Sequence, residues 1–324
     1  MRHACQSCLD LRAELDDYNR NNAERWHCGL PDAVRGEGYQ LRFVKAPQHS
    51  PATNLFWEAH RSSGREITAV CDPLLFFHDF PNGKLFRFVD TNIEEPSRSK
   101  ALAELKSLHH DDFSNELHPG HFYVELGAIL AAKSIREYFW REGRLRVPMV
   151  LSKEMTRRQL LDSSPVLIGT VRTNNFMRQI FSSPADTGMV AYRLDPDHFA
   201  WVTIDTRKVS GVESLEKLGM TTDATGKGVL ITPSEGMTLG IVTRIVNPDG
   251  HGAITFISSD ASLNLKQMAQ ALTDEKQLQR IFMQMGRSLD DPLPASFEML
   301  FLVRLAPGNL DDEAGQAQLL SWRM

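Results

Sequence analysis

Pro165-Val166-Leu167-Ile168 is a short apolar run that stops at Gly169-Thr170, and from Asn174 to Ile180 the apolar spacing becomes helical. A run of that length closed by glycine reads as a strand buried on both faces. Such a strand needs a covering layer on each side, and a strand that turns directly into a helix is the building unit of an α/β fold. The same order recurs later in the chain. A strand is expected over 253–258, helix over 264–285 with a break near Thr273-Asp274, and a buried strand over 297–305. Together these units predict an α/β fold with a mostly parallel sheet or sheets flanked by helices.

Other segments fit around that frame. Residues 39–44 alternate apolar and polar side chains, as a half-buried strand does. Residues 66–71 read as a strand that stops at Asp72-Pro73, where proline interrupts the ladder. Residues 85–89 follow the turn signal Pro81-Asn82-Gly83, and 146–151 form a further strand. Strands over 190–194 and 199–204 flank Asp195-Pro196-Asp197. The strongest hairpin signal is Asn247-Pro248-Asp249-Gly250, between 239–245 and 253–258. Pro119-Gly120 is expected to lead into a helix over 121–141, and shorter helices are expected over 100–108 and 156–161. After residue 305 the chain is acidic and then apolar, ending in Leu319, Leu320 and Trp322.

Residues 1–38 read as a separate small helical head and linker, with 39–324 as the main module. Leu9, Leu11, Leu15 and Tyr18 recur at roughly helical spacing, and Gly29 to Gly38 is a linker. Cys5-Gln6-Ser7-Cys8 is a paired thiol motif, followed by His27-Cys28. Two thiolates, an imidazole and a third thiolate make a tetrahedral zinc set from Cys5, Cys8, His27 and Cys28. A metal would also explain how so short a head orders itself. The alternative is ordinary thiols at a helix start. A redox pair fits less well, since no thioredoxin-like strand precedes it.

Of the 324 residues, 42% are hydrophobic and 24% charged, and the net charge is -5. That composition supports a buried core and argues against disorder and against a broad nucleic-acid surface. No run reaches the ~18 apolar residues of a membrane span. The N-terminus carries no apolar signal core, so a soluble cytoplasmic protein is expected, with reduced cysteines.

Ligands of open α/β sheets sit outside the carboxyl ends of the strands. Gly169, Thr170, Arg172, Thr173 and Asn174 occupy such a strand end and helix start, with Asn175 beside them. They offer donors, acceptors and one positive charge to a polar or anionic group. Capping by Thr173 or Asn174 would explain the same residues. Ser258, Ser259 and Asp260 stand in the equivalent place after the later strand and could form the opposing wall, or could simply cap the next helix. His109, His110, Asp111, Asp112, His118 and His121 have metal-ligand chemistry but no metal spacing, so a solvated loop is expected. Gly226-Lys227-Gly228 fails as a phosphate loop, lacking the full glycine-to-lysine spacing and a following Ser or Thr. Asp72, at a strand end, has the chemistry of an acid or base with no nameable partner.

The run Pro165 to Gly169 followed by Asn174-Asn175, the run Gly240 to Ile245 with its hairpin into Ile254 to Ile257, and Val124-Glu125-Leu126-Gly127 before them carry a family resemblance. Over about residues 55–305 the chain resembles a poorly characterised α/β sensor-like module. In soil-bacterial regulatory proteins that module follows a helix-turn-helix or zinc-binding head. Its layout is similar to two-lobed solute-binding proteins. Where that module usually has a Gly-Thr pair, this chain has Ser258-Ser259-Asp260. The head faintly resembles the zinc-binding anti-sigma type. The resemblance implies a two-lobed regulatory sensor that closes on a small ligand, with the head contacting a protein partner. An enzyme using the same crevice, or an interaction subunit with a vestigial crevice, are the rival expectations. The first would need a paired acid and base or an activated nucleophile, which the sequence does not supply.

Overall fold

The computed structural model describes residues 26–28, 32–34, 38–40, 43–45, 51–79, 84–88, 117–169, 176–177, 191–194, 201–231, 236–249, 251–259, 262–304 and 317–324. The chain separates into two compact units, Met1–Ser50 and Pro51–Met324. In the first, β1 (Trp26–Cys28) pairs antiparallel with β4 (Phe43–Lys45), and β2 (Asp32–Val34) with β3 (Gly38–Gln40). Strand structure before residue 39 departs from the helical reading of this head. The helix expected around Leu9 to Tyr18 lies outside the described residues, as does the one expected over 100–108.

The second unit is built on one mixed seven-stranded sheet. Its strands are β5 (Ile67–Cys71), β9 (Met149–Leu151), β10 (Ser164–Gly169), β15 (Met237–Val246), β16 (Ala253–Ser259), β17 (Phe297–Arg304) and β18 (Ala317–Arg323), in the order β18-β17-β15-β16-β10-β5-β9. Strands β9, β5, β10 and β16 are mutually parallel. Strand β15 runs antiparallel to both β16 and β17, and β18 antiparallel to β17. The expected parallel core is present, and the antiparallel pairing of β15 with β16 is where the sheet becomes mixed.

One face of this sheet is covered by helices. These are α1 (Pro51–Arg61), α2 (Leu126–Gly143), α5 (Ser262–Thr273) and α6 (Glu275–Gln284). Phe56, Trp57, Ile135, Phe139, Leu265, Leu272 and Phe282 pack there against Ile168, Val242, Ile257 and Met299. The break at Thr273-Asp274 has a local cause: the Asp274 side chain accepts the Gln277 backbone N–H at 2.8 Å, capping α6. Glu275 then accepts the N–H groups of Ala52 and Thr53 at 3.0 and 2.9 Å. Its carboxylate thus sits at the positive end of α1.

The opposite face has two covers. Over β5, β10 and β16 lie α3 (Arg157–Asp162) and the buried Phe176 and Met177, against Val70, Leu167 and Phe256. Helix α3 opens with a capping box between Thr156 and Gln159. Over β15, β17 and β18 lies a four-stranded antiparallel sheet, β11 (Tyr192–Leu194), β12 (Trp201–Asp205), β14 (Lys227–Ile231) and β13 (Thr221–Thr222), with α4 (Val212–Lys217) beside it. Its Tyr192, Val202, Ile204 and Leu230 pack on Leu239, Ile241, Leu300 and Leu302. Lys227 and Gly228 begin β14, consistent with rejecting a phosphate loop there.

A further sheet, β7-β6-β8, corrects two sequence readings. Strand β6 (Pro73–Asp79) begins at the proline that ends the previous strand, and pairs with β7 (Lys84–Phe88). Strand β8 (Leu117–Val124) contains Pro119-Gly120, so helix α2 starts at Leu126 rather than at 121. His118 and His121 therefore lie in a strand and not in a solvated loop; His109, His110, Asp111 and Asp112 lie outside the described residues.

Candidate ligand site at the strand ends

The parallel strands β5, β10 and β16 end side by side. Gly169 is the register partner of Ser258, and Ile168 that of Cys71, so Asp72 adjoins the same row one residue later. Ser258 in turn pairs with Ile241 on β15. Side chains alternate faces along a strand. Leu167 and Phe256 face the α3 side, so Gly169 and Ser258 face it too. Ile241 belongs to the cluster under the small sheet. The row therefore runs from under one cover to under the other, and Gly169 leaves its middle without a side chain.

Three features mark this row. Gly169 has φ of 151°, a region that residues with a Cβ rarely enter. Asp72 and Ser258 are both buried. Among the described residues the Ser258 hydroxyl meets no hydrogen-bond partner, which is uncommon for a buried polar group. Ser259 is one residue on and turns to the helical face. Its hydroxyl donates to the Leu239 carbonyl at 3.0 Å and lies 3.4 Å from the Asn264 side-chain amide nitrogen. The Asn264 side-chain oxygen has no partner among the described residues. Asn264 stands in the first turn of α5, so the edge carries polar atoms on both faces of the sheet.

Of the residues expected to form the walls, Gly169 and Ser258 are brought together, and Ser259 lies beside them but on the other face. Thr170, Arg172, Thr173, Asn174 and Asp260 lie outside the described residues. So do Cys5 and Cys8 of the expected zinc set, whereas the backbone of His27 and Cys28 is in β1. Among the described residues no group of three or more His, Cys, Asp or Glu is arranged to hold a metal.

Cys71 also borders the site. Burial first, and the Asp72 charge second, push its thiol up to about 12. It stays protonated at neutral pH and does not act as a nucleophile. Its Sγ–H donates to the Ala128 carbonyl at 3.7 Å.

A second polar constellation, which the sequence reading missed, sits near the amino-terminal ends of the central strands β10 and β16. His60 Nε2 is 2.8 Å from Thr255 Oγ1, and Nδ1 is 2.8 Å from Ser164 Oγ. All three side chains are fully buried. A serine beside a histidine resembles a nucleophile and its base. Here the Ser164 hydroxyl is 3.2 Å from the Ala253 carbonyl and no solvent reaches it, so the trio ties α1 to β10 and β16. No sequence signal pairs His60 with residues so distant along the chain.

Comparison with protein-family models, with curated proteins and with solved structures finds no match. No helix among the described residues is long and apolar enough to cross a membrane.

Proposed function

We propose that the unit Pro51–Met324 is a regulatory sensor module that binds a small polar or anionic ligand over Gly169, between Asp72 and Ser258. The observation that carries this reading is the buried Ser258 hydroxyl, unpartnered among the described residues, in register with a glycine of positive φ. An orphaned buried hydroxyl costs about 1–3 kcal/mol, and a ligand hydrogen bond would recover it. The row lies where ligands of open α/β sheets sit. It also lies between two covers on one face, so the small four-stranded sheet would serve as a second lobe. Ligand-driven movement of that lobe would be the switch. The protein is then a cytoplasmic regulator of bacterial type, with zinc held by Cys5, Cys8, His27 and Cys28 in its head.

The test is native mass spectrometry of the full chain, compared with the denatured chain. A small-molecule mass is expected on the wild type and should be lost in Ser258→Ala, whose melting temperature should barely change. Gly169→Val should lose it as well. A mass excess of one zinc, lost in Cys5→Ser, would support the metal head. A bare wild-type chain that also binds nothing in a metabolite screen would sink the sensor reading. Turnover of the retained molecule would move the site to the enzyme reading.

A further inference from the structure

The inward stripe of α2 is fully used: Ala128, Ala131, Ala132, Ile135, Tyr138 and Phe139 are all in the core. Trp140 is surplus to it, with 48% of its surface exposed, and Leu145 and Met149 nearby are each 41% exposed. A groove of about 360 Å³ lies here, lined by Lys133, Arg136, Glu137, Trp140, Leu145 and Arg146. We propose that this groove docks an acidic segment of a partner protein, seating an apolar side chain against Trp140 and its carboxylates on Arg136 and Arg146.

The charges favour that occupant. Lys133 and Glu137 neutralise each other at 3.6 Å. Arg136, Arg144 and Arg146 meet no acid among the described residues. The Arg144 guanidinium lies 5.4 Å from the Trp140 ring centre, held there by a left-handed backbone at the end of α2 with φ of 54°. An exposed tryptophan ringed by arginines has the composition of a binding hot spot. Arginine takes carboxylates two-pronged, which adds geometric selection.

Val147 also lines the groove and comes shortly before strand β9 in the chain. Strand β9 is last in the order and pairs only with β5 among the described residues. Its outer backbone groups can pair with an extended segment. A nucleic acid fits less well. Its footprint is a basic stripe on a basic domain, whereas this chain carries a net charge of -5 and Glu137 stands in the lining.

The test uses the full chain and three fluorescein-labelled peptides with the same Leu-Phe centre, flanked by acidic, neutral or basic residues. Fluorescence anisotropy at low salt should rank them acidic, then neutral, then basic. Affinity for the acidic peptide should fall about tenfold or more in Trp140→Ala and in Arg136→Glu/Arg146→Glu, equivalent to about 1.4 kcal/mol or more. It should persist in Arg136→Lys/Arg146→Lys. These positions are exposed, and unchanged melting curves confirm that the variants fold. Absence of the ranking, or unchanged binding in the variants, overturns the proposal. Tighter binding of a short single-stranded oligonucleotide would reassign the groove to nucleic acid. A dimer in sedimentation that dissociates in Trp140→Ala would reassign it to a second copy of the chain.

Discussion

Nε2 of His60 lies 2.8 Å from Oγ1 of Thr255 in a place neither atom shares with water. The Ser164 hydroxyl is taken up by Ala253, so Nδ1 of His60 carries the proton and Nε2 accepts from Thr255. Burial first, and the Arg244 charge second, hold the imidazole well below its usual value, at about 3. The folded value lies below the unfolded 6.5, so the neutral ring supports the fold above 6.5. That support is lost as pH falls toward 3, on the order of 5 kcal/mol in all. Acid unfolding of the wild type should therefore be steeper between these limits than that of His60→Gln. Parallel stability curves for the two proteins would refute this.

Arg244 is fully buried between two rings, 4.7 Å from the centre of Phe56 and 4.6 Å from that of Phe297, and donates to the Phe56 carbonyl. Its Nε has no partner among the described residues, and burial lowers the guanidinium to about 9. A buried charge held this way contributes little beyond its packing. Arg244→Met should cost no more than about 1 kcal/mol in urea unfolding, whereas Arg244→Ala should cost about 3. In both variants the His60 ring should titrate at higher pH by NMR. Equal losses in the two variants would show that the charge itself is needed.

Glu298 faces the small sheet, where its Oε2 accepts the Ala191 N–H at 2.6 Å and lies 3.4 Å from Arg323 Nη1. Burial outweighs these contacts and raises the carboxyl to about 7. A folded value above the ordinary 4.5 means support below 4.5 that disappears as pH rises through 7. The loss is on the order of 3 kcal/mol. Glu298→Gln keeps an acceptor for Ala191 without the charge. It should be as stable as the wild type at pH 5 and more stable at pH 8, by thermal melting. A variant less stable at both values would refute the sign.

Gly240 of β15 lies under Met268 of α5, and a Cβ there would collide with the Met268 Sδ. Gly240→Ala should cost about 1–3 kcal/mol as the methionine is displaced. Met268→Ala in the same chain should recover part of that loss, because the obstacle is one flexible side chain. Strictly additive losses would place the strain in the backbone instead.

The parts legible from sequence share one property: their signals are local. The run Val166 to Ile168, the turn at Asn247 to Gly250 and the cap at Asp274 each announce themselves within a few residues. Strand β8 was misread because Pro119 usually excludes a strand, yet β8 is an edge strand of its sheet, where a missing N–H is tolerated. Strand β18 was read only as an apolar tail. A register shift between Leu300 and Phe301 leaves Leu320 as an extra residue and puts Leu320 and Ser321 on the same face, under the small sheet, which breaks the alternation. At the site, the strand-end rule finds Gly169 and Ser258, but not that they are register partners or that Ser259 faces away. For His60, Arg244 and Glu298, only partners distant along the chain explain how such polar side chains come to be buried.

Strand β15 lies between β16, its hairpin partner, and β17, which the chain reaches only after crossing α5 and α6. During synthesis the hairpin can close as soon as it leaves the ribosome, but the other edge of β15 stays open until residue 304 has followed. An unpaired apolar edge is the template on which nascent chains stick together. The stretch between Ser259 and Phe297 is thus an interval in which the nascent chain is open to such pairing, and slowing translation there should lower its yield more than slowing it after β17.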